Sequence, residues 1–214
     1  MAEATLDPNE ADALREAAQA IDVARMKQLG ATHLAMATGA LTLWGAAVTW
    51  AQVTGWGLAH AAALANAVLA GAVIASTIHE WGHLAGARLL GAASPMFEAP
   101  KRHFFVFDFP LDQNDPRQFL AMSWGGILAP WLAVAAAALL VPLALPSGAV
   151  LLAALVWKAT TATVFEVPVV RRVMNGEAPG AALGAEATGG GLARGQKLGA
   201  AAGLACLAAL WWVA

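Results

Sequence analysis

The sequence predicts an all-α polytopic membrane protein with about five transmembrane helices and a short membrane-associated strand or hairpin. Three observations carry that prediction. Of the 214 residues, 59% are hydrophobic and 12% charged, with positive mean hydropathy, more apolar surface than one soluble globule of this length buries. The charges fall in blocks separated by uncharged runs long enough to cross a bilayer core. Between two of these runs lies an aromatic, β-prone segment, His103-Phe104-Phe105-Val106-Phe107-Asp108-Phe109, which reads as a strand or a membrane-dipping hairpin.

Residues 1–30 hold six acids and three bases and are expected in water as a cytosolic N-terminal helix. Asp7, Pro8 and Glu10 form a helix start, with a cap, a proline in the first turn and an early acid. Leu14, Ala18, Ile21 and Leu29 recur near helical period and lay this helix against the membrane or the bundle. No short apolar core with a cleavage site follows, so no removable signal peptide is expected. The transmembrane core is expected over 31–174. Its first span runs from about Ala31 to Val53, with Trp50 and Trp56 at the far interface. His33 and His60, at the two ends of this region, are expected at the interfaces without a metal role.

The second span covers 57–91 and closes with Arg88; a polar connection, 92–118, follows. The third span runs from about Phe119 to Leu145, with Gly125 and Gly126 allowing close approach of a neighbouring backbone and Pro130 and Pro142 placed to kink it. The fourth runs from Ala149 to about Val170 and contains Lys158 and Glu166. A Gly/Ala-rich stretch, 175–196, is expected to be a flexible linker, and 197–214 a short fifth span ending at Trp211-Trp212. No soluble second domain or internal repeat is evident.

The twelve Lys/Arg residues divide as three before the first span, four from Arg88 to Arg117, four from Arg171 to Lys197, and Lys158 within the fourth span. With five spans, those three regions share one side, so the N-terminus is expected in the cytosol and the second and fourth helices run inward. Basic residues are scattered and net charge is −2, which gives no nucleic-acid footprint. The single cysteine, Cys206, excludes an internal disulfide and a cysteine-based zinc site.

The chemistry concentrates in His79-Glu80-Trp81-Gly82-His83. On a helix, residues four apart share a face, so both imidazoles can bind one metal ion while Glu80 acts on a water beside it. A charged residue inside a span is costly and marks a functional site; the competing reading is that these side chains only bond neighbouring helices. Arg88 lies five residues past His83, roughly 7 to 8 Å along a helix axis, which sets the pair shallowly below the cytosolic surface. Catalytic zinc generally takes three protein ligands. Glu166 is the leading third candidate, because it precedes Arg171 by the same five residues that separate His83 from Arg88, and Pro168 loosens the helix there. A carboxylate paired with Arg171 or Lys158 is the alternative for Glu166, and Asp108, Asp112 and His103 compete as ligands if a hairpin carries them to the site.

The run His79-Glu80-Trp81-Gly82-His83-Leu84-Ala85-Gly86-Ala87-Arg88-Leu89-Leu90-Gly91 resembles the first signature of site-2-protease-type intramembrane metalloproteases. Asp115-Pro116-Arg117-Gln118-Phe119 leading into Ser123-Trp124-Gly125-Gly126-Ile127-Leu128-Ala129-Pro130 is similar to that family's entry into its next helix. The likeness covers about residues 70–175. It implies a three-helix metalloprotease core formed by the second to fourth spans. Where the family carries an Asp followed by Gly as third ligand, this chain reads Phe165-Glu166-Val167-Pro168, and Pro130 stands near the place of the family's asparagine.

These readings converge on an intramembrane zinc endopeptidase in a lipid bilayer, cleaving a membrane-embedded protein substrate near the cytosolic face. Zn2+ is expected on His79, His83 and Glu166, and Glu80 as general base. The alternative is a non-catalytic relative serving as a regulatory or partner-binding module. An iron-dependent lipid hydroxylase needs more histidine clusters than five histidines supply. Alanine- and glycine-rich composition points to a bacterial inner membrane.

Overall fold

A computed structural model describes residues 7–101 and 105–213. Among them are six helices and one two-stranded sheet: α1 Pro8–Thr54, α2 Gly57–Leu89, β1 Met96–Lys101, β2 Phe105–Phe107, α3 Pro116–Leu140, α4 Pro146–Met174, α5 Pro179–Thr188 and α6 Gly191–Val213. Helices α1 to α4 are each long and apolar enough to cross a membrane.

The N-terminal helix and the first span are one helix of 47 residues, where the sequence reading separated them. Asp7 caps it by accepting from the Asn9 N–H, and Gly55, at φ 67°, ends it. Gly30 does not break it, and the glycine lies beside Trp81 of α2, whose ring carbons are 3.6 and 3.7 Å from where a Cβ would stand. His33 is 1% exposed and accepts from the Trp81 indole N–H at 3.0 Å, so α1 is fastened to the middle of the His79–His83 run.

At its polar end, Asp22 of α1 pairs with Arg88 at 2.6 Å and accepts from the Met96 N–H at 2.7 Å. The hairpin expected around 103–109 begins earlier: β1 and β2 pair antiparallel, with Met96 opposite Phe107. Met96 and Val106 are buried against Leu29, Leu84 and Ala87, so the hairpin packs on the middle of α1 and the C-terminal end of α2. His103 lies outside the described residues. Asp115 starts α3 with a capping box completed by Gln118, and Pro116 occupies the first turn.

Residues 175–196 are largely helical, forming α5 and the first turns of α6, where a flexible linker was expected. Alanine's helix propensity outweighs the glycines, Pro179 starts α5, and buried Glu186 is bridged to Arg194 of α6. Gly190, at φ 79°, makes the turn between the two helices. Helix α6 runs antiparallel along α4, with Gly195, Gly199 and Gly203 against Thr161, Trp157 and Ala153.

Three facts about packing position the site. Helix α2 is parallel to α4, since Gly71 meets Ala154 and His83 meets Glu166. It is antiparallel to α3, where Gly82 faces Gly125 and Gly86 faces Ala121 closely enough that a Cβ on either α2 glycine would overlap α3 backbone. Small residues permit this approach, and it brings α3 carbonyls within reach of the α2 histidines.

Candidate metal centre

His79 and His83 stand one turn apart on the face of α2 that looks between α3 and α4. Each ring is fixed through its Nδ1, His79 to the Gly126 carbonyl at 3.0 Å and His83 to the Met122 carbonyl at 2.9 Å. A carbonyl cannot donate, so both Nδ1 atoms carry the hydrogen and both Nε2 atoms of the neutral rings present lone pairs. Those lone pairs converge. Nε2 of His79 lies 3.2 Å from Nε2 of His83, and Oε1 of Glu166 lies 3.2 Å from each.

Three acceptor atoms in an equilateral triangle repel one another unless a cation or a proton joins them. One proton on one nitrogen serves one edge of the triangle and leaves the third atom facing a lone pair. A tetrahedral zinc ion with bonds of about 2.0–2.1 Å holds its ligand atoms roughly 3.3 Å apart, which matches all three edges. The second carboxylate oxygen, Glu166 Oε2, is buried without a hydrogen-bond partner, so no donor among the described residues neutralises this carboxylate, as a cation at the triangle would. The donor set, two imidazoles and a carboxylate, is one that zinc accepts, and His79, His83 and Glu166 form a group able to hold a metal among the described residues.

Glu166 is thus beside the histidine pair, and its carboxylate faces those imidazoles and makes no salt bridge to Arg171 or Lys158. The same group does not include Asp108 or Asp112, which are exposed beyond the hairpin. Glu80 is 8% exposed, with Oε1 4.0 Å from His79 Nε2. It lines a cavity of about 300 Å³ shared with His79, Glu166, Pro130 and Lys158. A carboxylate there reaches a water or a substrate amide next to the metal position without being a ligand itself.

No family model, curated protein or solved structure matches the chain. The centre is therefore read from its own residues.

Sequence reasoning expected Pro130 to kink α3 and missed what the proline does for the centre. Pro130 lacks an N–H, so the carbonyl four residues earlier, Gly126, loses its intrahelical donor. That carbonyl is the one His79 Nδ1–H uses. The signal lay in the sequence as Gly126 to Pro130 spacing, but only the antiparallel register of α2 on α3 gives it a recipient. Gly126 contributes again through its missing side chain, since a Cβ there would overlap the His83 ring. Pro130→Ala restores a competing N–H within α3. Zinc affinity, measured by competition with a chelator, is expected to fall about tenfold, the lower end for losing a partner that orients a ligand; unchanged affinity would remove Pro130 from this role.

Proposed function

We propose that this chain is a site-2-protease-like intramembrane zinc metalloendopeptidase that cleaves a membrane-embedded protein substrate near the cytosolic face. In this reading α1 to α4 and α6 are five spans in the lipid bilayer, α2 to α4 are the three-helix metalloprotease core, and the N-terminus is cytosolic, in what composition makes a bacterial inner membrane. The observation that carries the reading is the 3.2 Å triangle of His79 Nε2, His83 Nε2 and Glu166 Oε1, with both rings oriented by helix carbonyls. Support from outside the centre comes from the division of the Lys/Arg residues, Lys158 apart, among three stretches of the sequence that a five-span topology puts on one side, and from the His79-to-Gly91 signature.

His79, His83 and Glu166 would hold the ion; when bound, zinc supplies Lewis-acid polarisation of the scissile carbonyl and of water. The rest of the chemistry belongs to the chain. Glu80 takes the proton of the attacking water on its carboxylate and passes it to the nitrogen of the departing amine. The Gly126 and Met122 carbonyls keep both imidazoles in the tautomer that leaves Nε2 free. In this reading the shallow depth set by Arg88 lets water enter from the cytosolic side. The substrate must unwind locally to present a carbonyl, and the β1–β2 hairpin could hold it as an added strand.

The test is purified chain in detergent, assayed for metal and for cleavage of a single-span substrate. About one zinc per chain is expected, with cleavage lost on chelation and regained on adding zinc. A chain without zinc would favour simple packing of the polar residues. One zinc without cleavage of any membrane substrate would favour the non-catalytic module.

A further inference from the structure

His79, Glu80 and Glu166 supply only part of the polar lining of the cavity they share. Its remaining polar lining is Ser76 of α2, Lys158 and Thr161 of α4, and Gln196 of α6. Thr161 is occupied, because its hydroxyl donates to helix carbonyls of Trp157 and Gly195. The other three differ. Among the described residues no hydrogen bond or ion pair is made by the side chains of Ser76, Lys158 or Gln196.

Lys158 is the notable one. A lysine within a spanning helix is expensive to place and ordinarily pairs with an acid, yet no carboxylate lies within 4.0 Å of it among the described residues. It precedes Glu166 by eight residues, about 12 Å along the α4 axis, so it stands on the deeper side of the reactive carboxylates. Charge counting sharpens this. With a divalent ion on the triangle, Glu80 and Glu166 offset that ion, and Lys158 is left as the surplus positive charge of the cavity. Ser76, one turn before His79 and half-buried, adds an O–H, and Gln196, exposed on the helix that covers α4, adds an amide N–H. Donors from three helices without an acceptor of their own make a cradle for an anion.

We propose that Lys158, with Ser76 and Gln196, is a subsite for a carboxylate carried by the substrate. The inference rests on the reading of this cavity as the place where a membrane-embedded protein segment lies, and it adds a substrate class: segments with an acidic group on the deeper side of the scissile bond. A carboxylate is the anion that a protein segment brings to this depth. It can be an Asp or Glu side chain or the free C-terminus of a short segment.

Four labelled apolar helical peptides in detergent micelles test it, with Asp or Asn at the centre and each with a C-terminal acid or amide. Binding to the Glu80→Gln chain is read by anisotropy, so that no cleavage is needed. The Asp peptide, or the C-terminal acid if that is the source, is expected to bind at least about tenfold tighter than its uncharged counterpart, the range for a hydrogen bond to a charged group. In Lys158→Met the preference should collapse to within about twofold, whereas Lys158→Arg, which keeps the charge and controls for folding, should preserve most of it. Equal binding of all four peptides, or a preference that survives Lys158→Met, would overturn the subsite. So would an equal loss of cleavage for all four peptides in Lys158→Met, which would assign the ammonium to the reacting carbonyl instead. A binding preference in a chain that cleaves nothing would sink the proteolytic reading and leave the carboxylate subsite standing.

Discussion

Glu80→Gln is expected to keep about one zinc per chain and to cut cleavage of a membrane substrate by about 10²–10⁴-fold, the usual contribution of a positioned general base. The substitution is nearly isosteric and removes a charge from a side chain that is 8% exposed, so folding has no reason to suffer. Glu80 lies 4.0 Å from His79 Nε2 and contributes no atom to the triangle, so metal retention follows. An amide of the same shape accepts no proton from water. The measurement is zinc content beside initial rates on one substrate. Persistent cleavage with normal zinc would sink the assignment of Glu80 as base.

Glu166→Gln should do the opposite to the metal. With the carboxylate gone, two neutral imidazoles remain, and zinc content should drop from about one per chain to a trace, since structural and catalytic sites generally supply three or four protein ligands. The chain should still fold, because Glu166 is 9% exposed and an uncharged amide is less costly to bury than a carboxylate. Asp108→Asn, Asp112→Asn and His103→Ala are expected to keep their zinc. A Glu166→Gln chain with full zinc, together with loss in one of those three, would move the third ligand to the 92–118 connection.

Much of the centre could be read from spacing because helices convert sequence distance into position. His79 and His83 are four apart, and counting back five residues from Arg88 and from Arg171 put His83 and Glu166 at one level; the parallel packing of α2 and α4 brings those two residues to 3.2 Å. Gly125 and Gly126 likewise announced close helix contact, but not that Gly82 and Gly86 of α2 would meet α3 there, since that depends on register between helices. Other features needed tertiary structure. The run of α1 through Gly30 is not marked by any local signal, and His33 meets Trp81, 48 residues further on. The helical character of 179–188 was hidden by a composition that alanine and glycine share with disordered linkers, and Arg194, which docks on Glu186, lies beyond the turn. The cavity's donors come from three separate helices, and no local pattern relates Ser76, Lys158 and Gln196.

The ligands' separation along the chain has a bearing on biosynthesis. His83 and Glu166 are 83 residues apart, and chains emerge and insert N-terminal part first. When α2 has been inserted, both histidines are already in place, with their carbonyl partners still to come on α3 and their carboxylate on α4. A nascent chain at that stage offers an ion two imidazoles whose orientation nothing yet fixes. Metal capture of the proposed kind would therefore wait for α4, since a chain that stops before it holds only two of the three proposed ligands.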